Sequence, residues 1–180
     1  MIMKFEPDWY RIKFFESTSN IKRALKESVV RVVSTKIAEV ISACLQQGQM
    51  FFEAAIQSPI EIRPLQIFYG IIGFSKAIIL ARDVRGHETL PKSHGLKDIS
   101  PENALIENVK LKIGVKGTFQ QFNNVIVMLD VINYFIKHMP FFHKNPFDHS
   151  LNIVNKEIIM KEILARIPGM GEYYQSTFKE

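Results

Sequence analysis

The amino-acid sequence predicts a mainly α-helical fold with long amphipathic helices and one small antiparallel β-hairpin. Two observations lead to this prediction: apolar residues recur at helical spacing through much of the first half, and residues alternate between polar and apolar near position 110. The 180 residues are 47% hydrophobic and 23% charged. This composition can form a core, so it excludes intrinsic disorder as the default, and the length fits one domain over residues 1–180.

The first predicted helix is long and amphipathic. Ser19 is a plausible N-cap, and apolar residues recur at steps of three and four over residues 21–44. Gly48 is expected to end or relax this helix, because residues 50–56 then resume a helical apolar pattern. A Ser-Pro pair at 58–59 is expected to stop the chain from continuing as a helix.

A second helix is predicted over residues 65–82, with Pro64 in its first turn, where a missing N–H costs nothing. Gly70 and Gly73 lie on one side of it, and each glycine costs about 1 kcal/mol relative to alanine in a helix. We therefore expect this side to contact another helix closely. The most apolar stretch, residues 67–80, is too short to span a bilayer and is interpreted as a buried core helix.

The second half of the chain holds the predicted hairpin. Residues 84–101 are expected to form a long polar loop, residues 106–113 a strand, and residues 118–122 the returning partner strand. Residues 123–138 predict another buried helix, with a strand as the alternative because many of them are β-branched. Residues 160–166 predict a short helix closed by a Pro-Gly pair.

Positive charge is concentrated near the N-terminus. The net charge is +5, and residues 1–36 supply +4 of it through eight basic and four acidic side chains. Lys22, Arg23, Lys26 and Arg31 could follow the phosphate backbone of RNA or DNA, or bind an acidic partner. A solvated helix face is the simpler interpretation of the same residues.

The cysteine and histidine content excludes several classes of site. Cys44 is the only cysteine, so a disulfide framework and a cysteine-based zinc site are excluded and a reducing, cytoplasmic location is expected. It lies on the apolar face of the predicted helix, as an inert core thiol would. No metal site or cofactor is expected, because spacings of five and six do not align the best candidate ligands on one helical face. Those candidates are His138, His143, Asp148 and His149.

Several stretches of the chain resemble the YaaC-like family of bacterial proteins. They are residues 50–59 (MFFEAAIQSP), 62–70 (IRPLQIFYG), 94–96 (HGL), 109–117 (VKLKIGVKG) and 160–168 (MKEILARIP). The resemblance defines a core at residues 46–170, preceded by a basic helical region at 1–45.

This resemblance implies no settled biochemical activity, and family members are often longer than this chain. It favours a non-enzymatic subunit that assembles with another protein or forms a homodimer with a second copy of itself. Binding to a membrane is not expected. A bacterial defence or regulatory complex is a hypothesis for its setting that no residue requires.

Two residues suggest an alternative, catalytic function. Arg82 and His87 are separated by four residues, which resembles the Arg–His signature of HEPN-type ribonucleases. A histidine can move the ribose 2′-hydroxyl proton and an arginine can stabilise the developing phosphorane charge, without a metal ion. The simpler alternative is that these cations interact favourably with the dipole at the C-terminus of a helix. Whether the protein is an enzyme therefore stays open.

Two further residues are candidates for binding a phosphate or another ligand. His94 lies beside Gly95 in the polar loop, where it could contact a ligand phosphate or act as a base, or could cap the preceding structure while the glycine adopts positive φ. Arg63 lies at a helix start, where a cation is unfavourable, so a specific anionic partner is expected. Glu53 is the preferred partner, in a structural ion pair.

Overall fold

The computed structural model describes residues 9–28, 32–82, 88, 90–126, 153–165, 167, 169 and 171–178. The chain divides into two compact units, Met1–Leu90 and Pro91–Glu180. The described residues are mainly helical and include a three-stranded antiparallel sheet, which confirms the predicted fold class. The prediction of one domain over 1–180 stays a prediction.

The first unit is built from helices. Its elements are α1 (Trp9–Lys13), a 3-10 turn (Phe14–Glu16), α2 (Thr18–Ser28), α3 (Thr35–Gln57) and α4 (Arg63–Arg82). The two longest helices, α3 and α4, pack against each other in opposite directions, and α2 packs against α3. The core combines apolar side chains from these helices and the α2–α3 connection: Ile21, Leu25, Val33, Ala38, Ile41, Ala77 and Leu80.

The single helix predicted over residues 21–44 is wrong in one respect, because the chain forms two helices there. One ends at Ser28, and the next has Ser34 as its N-cap, with the Ser34 hydroxyl accepting a hydrogen bond from the Ile37 N–H at 3.3 Å. The sequence between them, VVRVV, is rich in valine. β-branched side chains lose rotamer freedom in a helix, so a serine cap after this run favours a new start.

Two of the predicted helix signals lie inside helices instead of at their ends. Ser19 is the second residue of α2, and its hydroxyl oxygen lies 2.7 Å from that of Ser17. Gly48 lies inside α3, which continues without interruption to Gln57. The predicted stop is confirmed, since Ser58 is the C-cap of α3.

The predicted close helix contact is confirmed at both glycines of α4. A Cβ atom on Gly73 would lie 2.9 Å from the carbonyl oxygen of Cys44, and one on Gly70 would lie 2.7 Å from the ring of Phe52. The obstacles at Gly73 are backbone atoms, so only glycine fits there, whereas a side chain at Gly70 would require the Phe52 ring to move. The glycines therefore set the separation of α3 and α4.

Aromatic rings join α1 to this helix pair. Trp9 lies with its ring centroid 5.9 Å from that of Phe52 and 6.1 Å from that of Phe74, and the two phenylalanine rings are 5.6 Å apart. Ring pairs at these separations are attractive beyond the area that they bury. The 3-10 turn is fixed separately, because the buried Ser42 hydroxyl donates to the Glu16 carbonyl oxygen at 2.8 Å.

The second unit contains the sheet. Its elements are β1 (Leu96–Asp98), a 3-10 turn (Ile106–Asn108), β2 (Lys110–Ile113), α5 (Thr118–Ile126), β3 (Glu157–Ile159), α6 (Met160–Leu164) and α7 (Gly171–Phe178). β2 is the central strand and pairs antiparallel with both neighbours. The short helix predicted at 160–166 is confirmed by α6.

The predicted hairpin partner is wrong, because residues 118–122 begin α5 instead of a strand. Phe119, Phe122 and Val125 follow one another at steps of three, which is helical spacing. The predicted strand is also shorter than expected, since its first residues form the 3-10 turn. β2 finds its partners in β1 and in β3, which follows more than forty residues later in the chain.

Two other predictions for this unit differ from the structure or concern residues outside the described ranges. The polar loop predicted over 84–101 contains β1. Of the helix predicted at 123–138, residues 123–126 form the end of α5, and the remainder lies outside the described residues.

Candidate functional site

An exposed apolar surface lies where α3 ends and α4 begins. Eight large apolar side chains there are between 36 and 72% exposed: Met50, Ile56, Ile60, Ile62, Leu65, Phe68, Tyr69 and Ile71. Soluble proteins rarely expose contiguous apolar patches of this kind unless a partner covers them. The N-terminal half of α4 therefore differs from the buried core helix that the sequence predicted, whereas Ala77, Ile79 and Leu80 in the other half are buried as expected.

Part of this surface is concave. A groove of about 410 Å³ runs along the first half of α4 and is lined by Ile60, Arg63, Pro64, Ile67, Phe68 and Ile71. Pro64, Ile67, Phe68 and Ile71 have the i, i+3, i+4, i+7 spacing of one helix face. We call this feature the α4 groove. Among the described residues that line it, Arg63 is the only charged one.

The ion pair predicted between Arg63 and Glu53 is wrong. The Arg63 guanidinium donates to the carbonyl oxygen of Ser58 at 2.9 Å, and Glu53 accepts a hydrogen bond from the Gln49 amide at 2.6 Å. Arg63 thus closes the α3–α4 connection, which explains a cation at this helix start. Its side chain is exposed and borders the α4 groove.

His94 has a local structural role. Its Nδ1 accepts the Leu96 backbone N–H at 3.1 Å, so this nitrogen carries no proton in the bond. Its carbonyl oxygen accepts the Phe119 N–H at 3.0 Å, at the start of α5. Gly95 has the positive φ that was expected, at 84°. The imidazole therefore caps the residues that follow it, whereas the prediction was a cap of the preceding structure. Ligand binding by His94 stays a prediction.

The predicted basic residues share one exposed face of α2. Lys22, Arg23 and Lys26 line a shallow groove of about 450 Å³ together with residues 27, 32 and 33. Arg31 lies outside the described residues. The spacing of the first three confirms a common face, and their function in binding a partner stays a prediction.

Two of these cations are engaged within the protein. The Lys22 ammonium donates to the Thr35 hydroxyl at 3.2 Å, which connects α2 to α3. The Arg23 guanidinium donates to the Asn20 side-chain oxygen at 3.2 Å and lies 5.5 Å from the ring centroid of Phe14. Such contacts fit a structured surface as well as a binding face.

Only one residue of the predicted catalytic pair lies within the described ranges. Arg82 is the last residue of α4 and is half-buried. His87 lies outside the described residues, so a shared cleft stays a prediction. The histidines weighed as metal ligands at 138, 143 and 149 lie outside them too, and the described part of the chain holds no cluster of three His, Cys, Asp or Glu residues that could bind a metal.

Sequence reasoning missed Gln120, which is 5% exposed. Its side-chain nitrogen donates to the carbonyl oxygen of Gly95 at 3.1 Å and to that of Gly114. This one amide therefore connects α5 to the chain segments next to β1 and β2. A glutamine in a polar stretch gives no sequence signal of burial, because the same composition is typical of exposed turns.

Burial makes Cys44 a poor nucleophile. Burial raises the pKa of the Cys44 thiol, and the Lys76 ammonium lowers that pKa by a smaller amount. The thiol is half-buried beside the core of the first unit, which supports the predicted inert position.

Within the described residues, α4 alone has the length and composition of a membrane span, and a third of its most apolar window is buried. A core helix of a soluble protein meets the same criterion. The criterion therefore does not decide between a core helix and a membrane span for α4.

Comparison with known proteins identifies the family. The match to the YaaC-like protein family covers residues 13–180, which includes every element described above except the first residues of α1. No curated protein sequence and no solved structure matches the chain. The matched span contains all the stretches on which the resemblance rested, and its extent shows that this chain belongs to the YaaC-like protein family.

Proposed function

We propose that this protein is a non-enzymatic assembly subunit that docks through the α4 groove, and that its first partner is a second copy of the chain. The observation that carries the proposal is the row of exposed apolar side chains at the α3–α4 connection. Three of these eight residues, Ile60, Phe68 and Ile71, line the groove itself, and the other five extend the exposed apolar surface around it. A standard protein interface takes about 800 Å² from each partner, so the docked copy would cover more than the groove alone.

The charges beside the groove favour a second copy over an unrelated partner. Arg63 lies two residues after Glu61, and both are exposed. A two-fold axis near Ile62 would therefore bring Glu61 of each copy towards Arg63 of the other. An isologous interface is complementary to itself, so one groove serves both partners.

The wider setting is part of the same proposal. A cytoplasmic subunit suits a chain whose single thiol is shielded by burial. A larger bacterial complex, such as one acting in defence or regulation, would then build on the dimer.

The mass of the full-length chain in solution tests this proposal. Light scattering after size-exclusion chromatography should give twice 20.8 kDa for the wild type, with the fraction of dimer falling on dilution. The double variant Ile60→Glu/Ile71→Glu should be monomeric, because burying four carboxylates in the dimer is unfavourable. Both side chains are exposed, so the fold should tolerate the change.

A matched control uses apolar residues outside the groove. Leu105→Glu/Val115→Glu adds the same charge at two exposed positions of the second unit and should leave the dimer intact. A monomeric wild type, or a groove variant that dimerises normally, would overturn the proposal. If the wild type sedimented with lipid vesicles and the groove variant did not, the partner would be a membrane surface instead.

A further inference from the structure

The strand register places three lysines on one face of the sheet. Lys97 of β1 is directly opposite Lys112 of β2, and Lys112 is directly opposite Glu157 of β3. Lys110, two residues before Lys112, shares its face because side chains alternate along a strand. Together with Ile159, which is opposite Lys110, these residues form what we call the lysine face.

The opposite face has a different character. It carries Leu96, Leu111, Ile113 and Ile158, and Ile113 is only 3% exposed. The other three apolar residues of this side are half-buried, as are Lys110 and Lys112, whereas Lys97 is exposed. Asp98 also belongs to that side, where it accepts the Ser100 N–H at 2.8 Å, so it does not neutralise the lysines.

The lysine face carries an excess of positive charge. Like charges directly opposite each other destabilise a strand pair, and Lys97 and Lys112 are such a pair. Among the described residues, Glu157 is the only acidic one on this face, which leaves two charges uncompensated. The Lys110 backbone N–H donates to the Ser100 hydroxyl at 3.0 Å, but within the described residues no ion pair or hydrogen bond engages the ammonium group of Lys97, Lys110 or Lys112. A bound anion would remove this repulsion.

We propose that the lysine face binds the phosphate backbone of a single-stranded nucleic acid. The ammonium groups are point charges that accept phosphate without a fixed bonding geometry. In such a sheet, opposed Cβ atoms lie about 5 Å apart across the strands, and residues i and i+2 lie about 6.7 Å apart along β2. Flexible lysine side chains that start at these positions can reach successive phosphates of one strand. This site is separate from the α4 groove and does not depend on the assembly proposal.

Two features of the face favour nucleic acid over an acidic protein segment. The edge strands β1 and β3 are each three residues long, which is too short for an added peptide strand to gain much hydrogen bonding. Among the described residues, the face also lacks the large exposed apolar anchors that stabilise protein interfaces. Since none of the strand residues on this face is aromatic, we expect binding to be independent of sequence and strongly dependent on salt.

The charge count sets the expected size of the effect. Three phosphate contacts on a single strand give a slope of about −2 for log K against log salt. Replacement of all three lysines should remove that contribution and lower the affinity at low salt by at least about tenfold, because three charge-assisted phosphate contacts are lost together.

Fluorescence anisotropy of the full-length chain with a labelled oligouridylate tests the proposal. The variant Lys97→Gln/Lys110→Gln/Lys112→Gln should bind at least tenfold more weakly than the wild type and lose most of the salt dependence. The control Lys13→Gln/Lys36→Gln/Lys92→Gln removes the same charge from exposed positions off the sheet and should retain binding. Circular dichroism tests whether each variant is folded. If the triple variant fails to fold, the single variant Lys112→Gln is used in its place, and it should also bind the oligonucleotide more weakly than the wild type.

Three results would overturn the inference. The sheet variant could bind the oligonucleotide as tightly as the wild type. Lys22→Gln/Arg23→Gln/Lys26→Gln could abolish binding while the sheet variant retains it, which would assign the activity to α2. Finally, poly-glutamate could bind through the three lysines while the oligonucleotide does not, which would identify an acidic protein as the partner.

Discussion

Gly73 of α4 lies directly against the backbone of Gly48 in α3. A Cβ atom on Gly73 would stand 2.9 Å from the Gly48 Cα and 2.9 Å from the carbonyl oxygen of Cys44. The obstacles are backbone atoms, which cannot move aside as the end of a flexible side chain can. The two helices thus meet where both lack a side chain, and this contact fixes the frame on which the α4 groove is displayed.

We expect Gly73→Ala to destabilise the protein by about 1–3 kcal/mol, the usual cost of overpacking a close contact. Alanine normally stabilises a helix by about 1 kcal/mol relative to glycine, so a net loss would report the helix contact specifically. Urea unfolding followed by circular dichroism measures the change. Gly171→Ala is the control, since nothing lies within 4 Å of a Cβ at that position, and equal stability of both variants would contradict the contact.

The helix contact could be predicted because glycine destabilises a helix unless a close contact compensates for it. Gly70 and Gly73 are three residues apart, so they identify the side of α4 on which that contact lies. The break after α2 was harder to predict, since the apolar period continues through the valine run. Only the cap at Ser34 marks the new start, and a serine in a long amphipathic pattern is ambiguous.

The sheet and the candidate site show where local patterns stop being informative. β2 was recognised by its alternation, but its partner β3 is supplied by a segment too distant for any turn signal. The α4 groove was missed because α4 is apolar on most sides. A helix without a polar face does not reveal from its sequence which side is covered.

The Gln120 amide should be essential for the second unit, and a carboxylate in its place should make stability depend on pH. Gln120→Glu at neutral pH replaces a donor by a charge that faces the carbonyl oxygens of Gly95 and Gly114. The folded-state pKa of the new carboxyl should rise above its usual value of about 4.3, because only the protonated form can donate.

The sign of the pH effect follows from that pKa. The penalty should be fully present at neutral pH and should shrink as the pH falls through the raised pKa, so the variant gains stability relative to the wild type on acidification. Thermal unfolding at several pH values measures this difference. Gln175→Glu, at an exposed position of α7, should show no such trend, and a Gln120→Glu variant that tracks it would contradict the role of the amide.

Cys44 should react slowly with a thiol reagent in the folded protein. Burial raises the pKa of the thiol, so little thiolate is present near pH 8, and unfolding in denaturant should accelerate the reaction strongly. Lys76→Gln should slow the native reaction further, because the Lys76 ammonium stabilises the thiolate and lowers the pKa. The rate of absorbance change with a chromogenic disulfide is the measurement, with Lys36→Gln as the charge-matched control. A Lys76→Gln variant that reacts faster than the control while fully folded would contradict this electrostatic account.

The opposed lysines of the sheet should cost stability when no anion is bound. Lys97→Glu converts the pair with Lys112 from like to opposite charges, and cross-strand pairs of this kind differ by about 0.5–1 kcal/mol. The variant should therefore unfold at a higher urea concentration than the wild type at low salt. Because exposed charges are screened by salt, the gain should shrink at 1 M NaCl, where the Debye length is about 3 Å. Lys92→Glu makes the same charge change outside the sheet and should not give this gain. If both variants were stabilised equally, the effect would belong to net charge and not to the register that places Lys97 opposite Lys112.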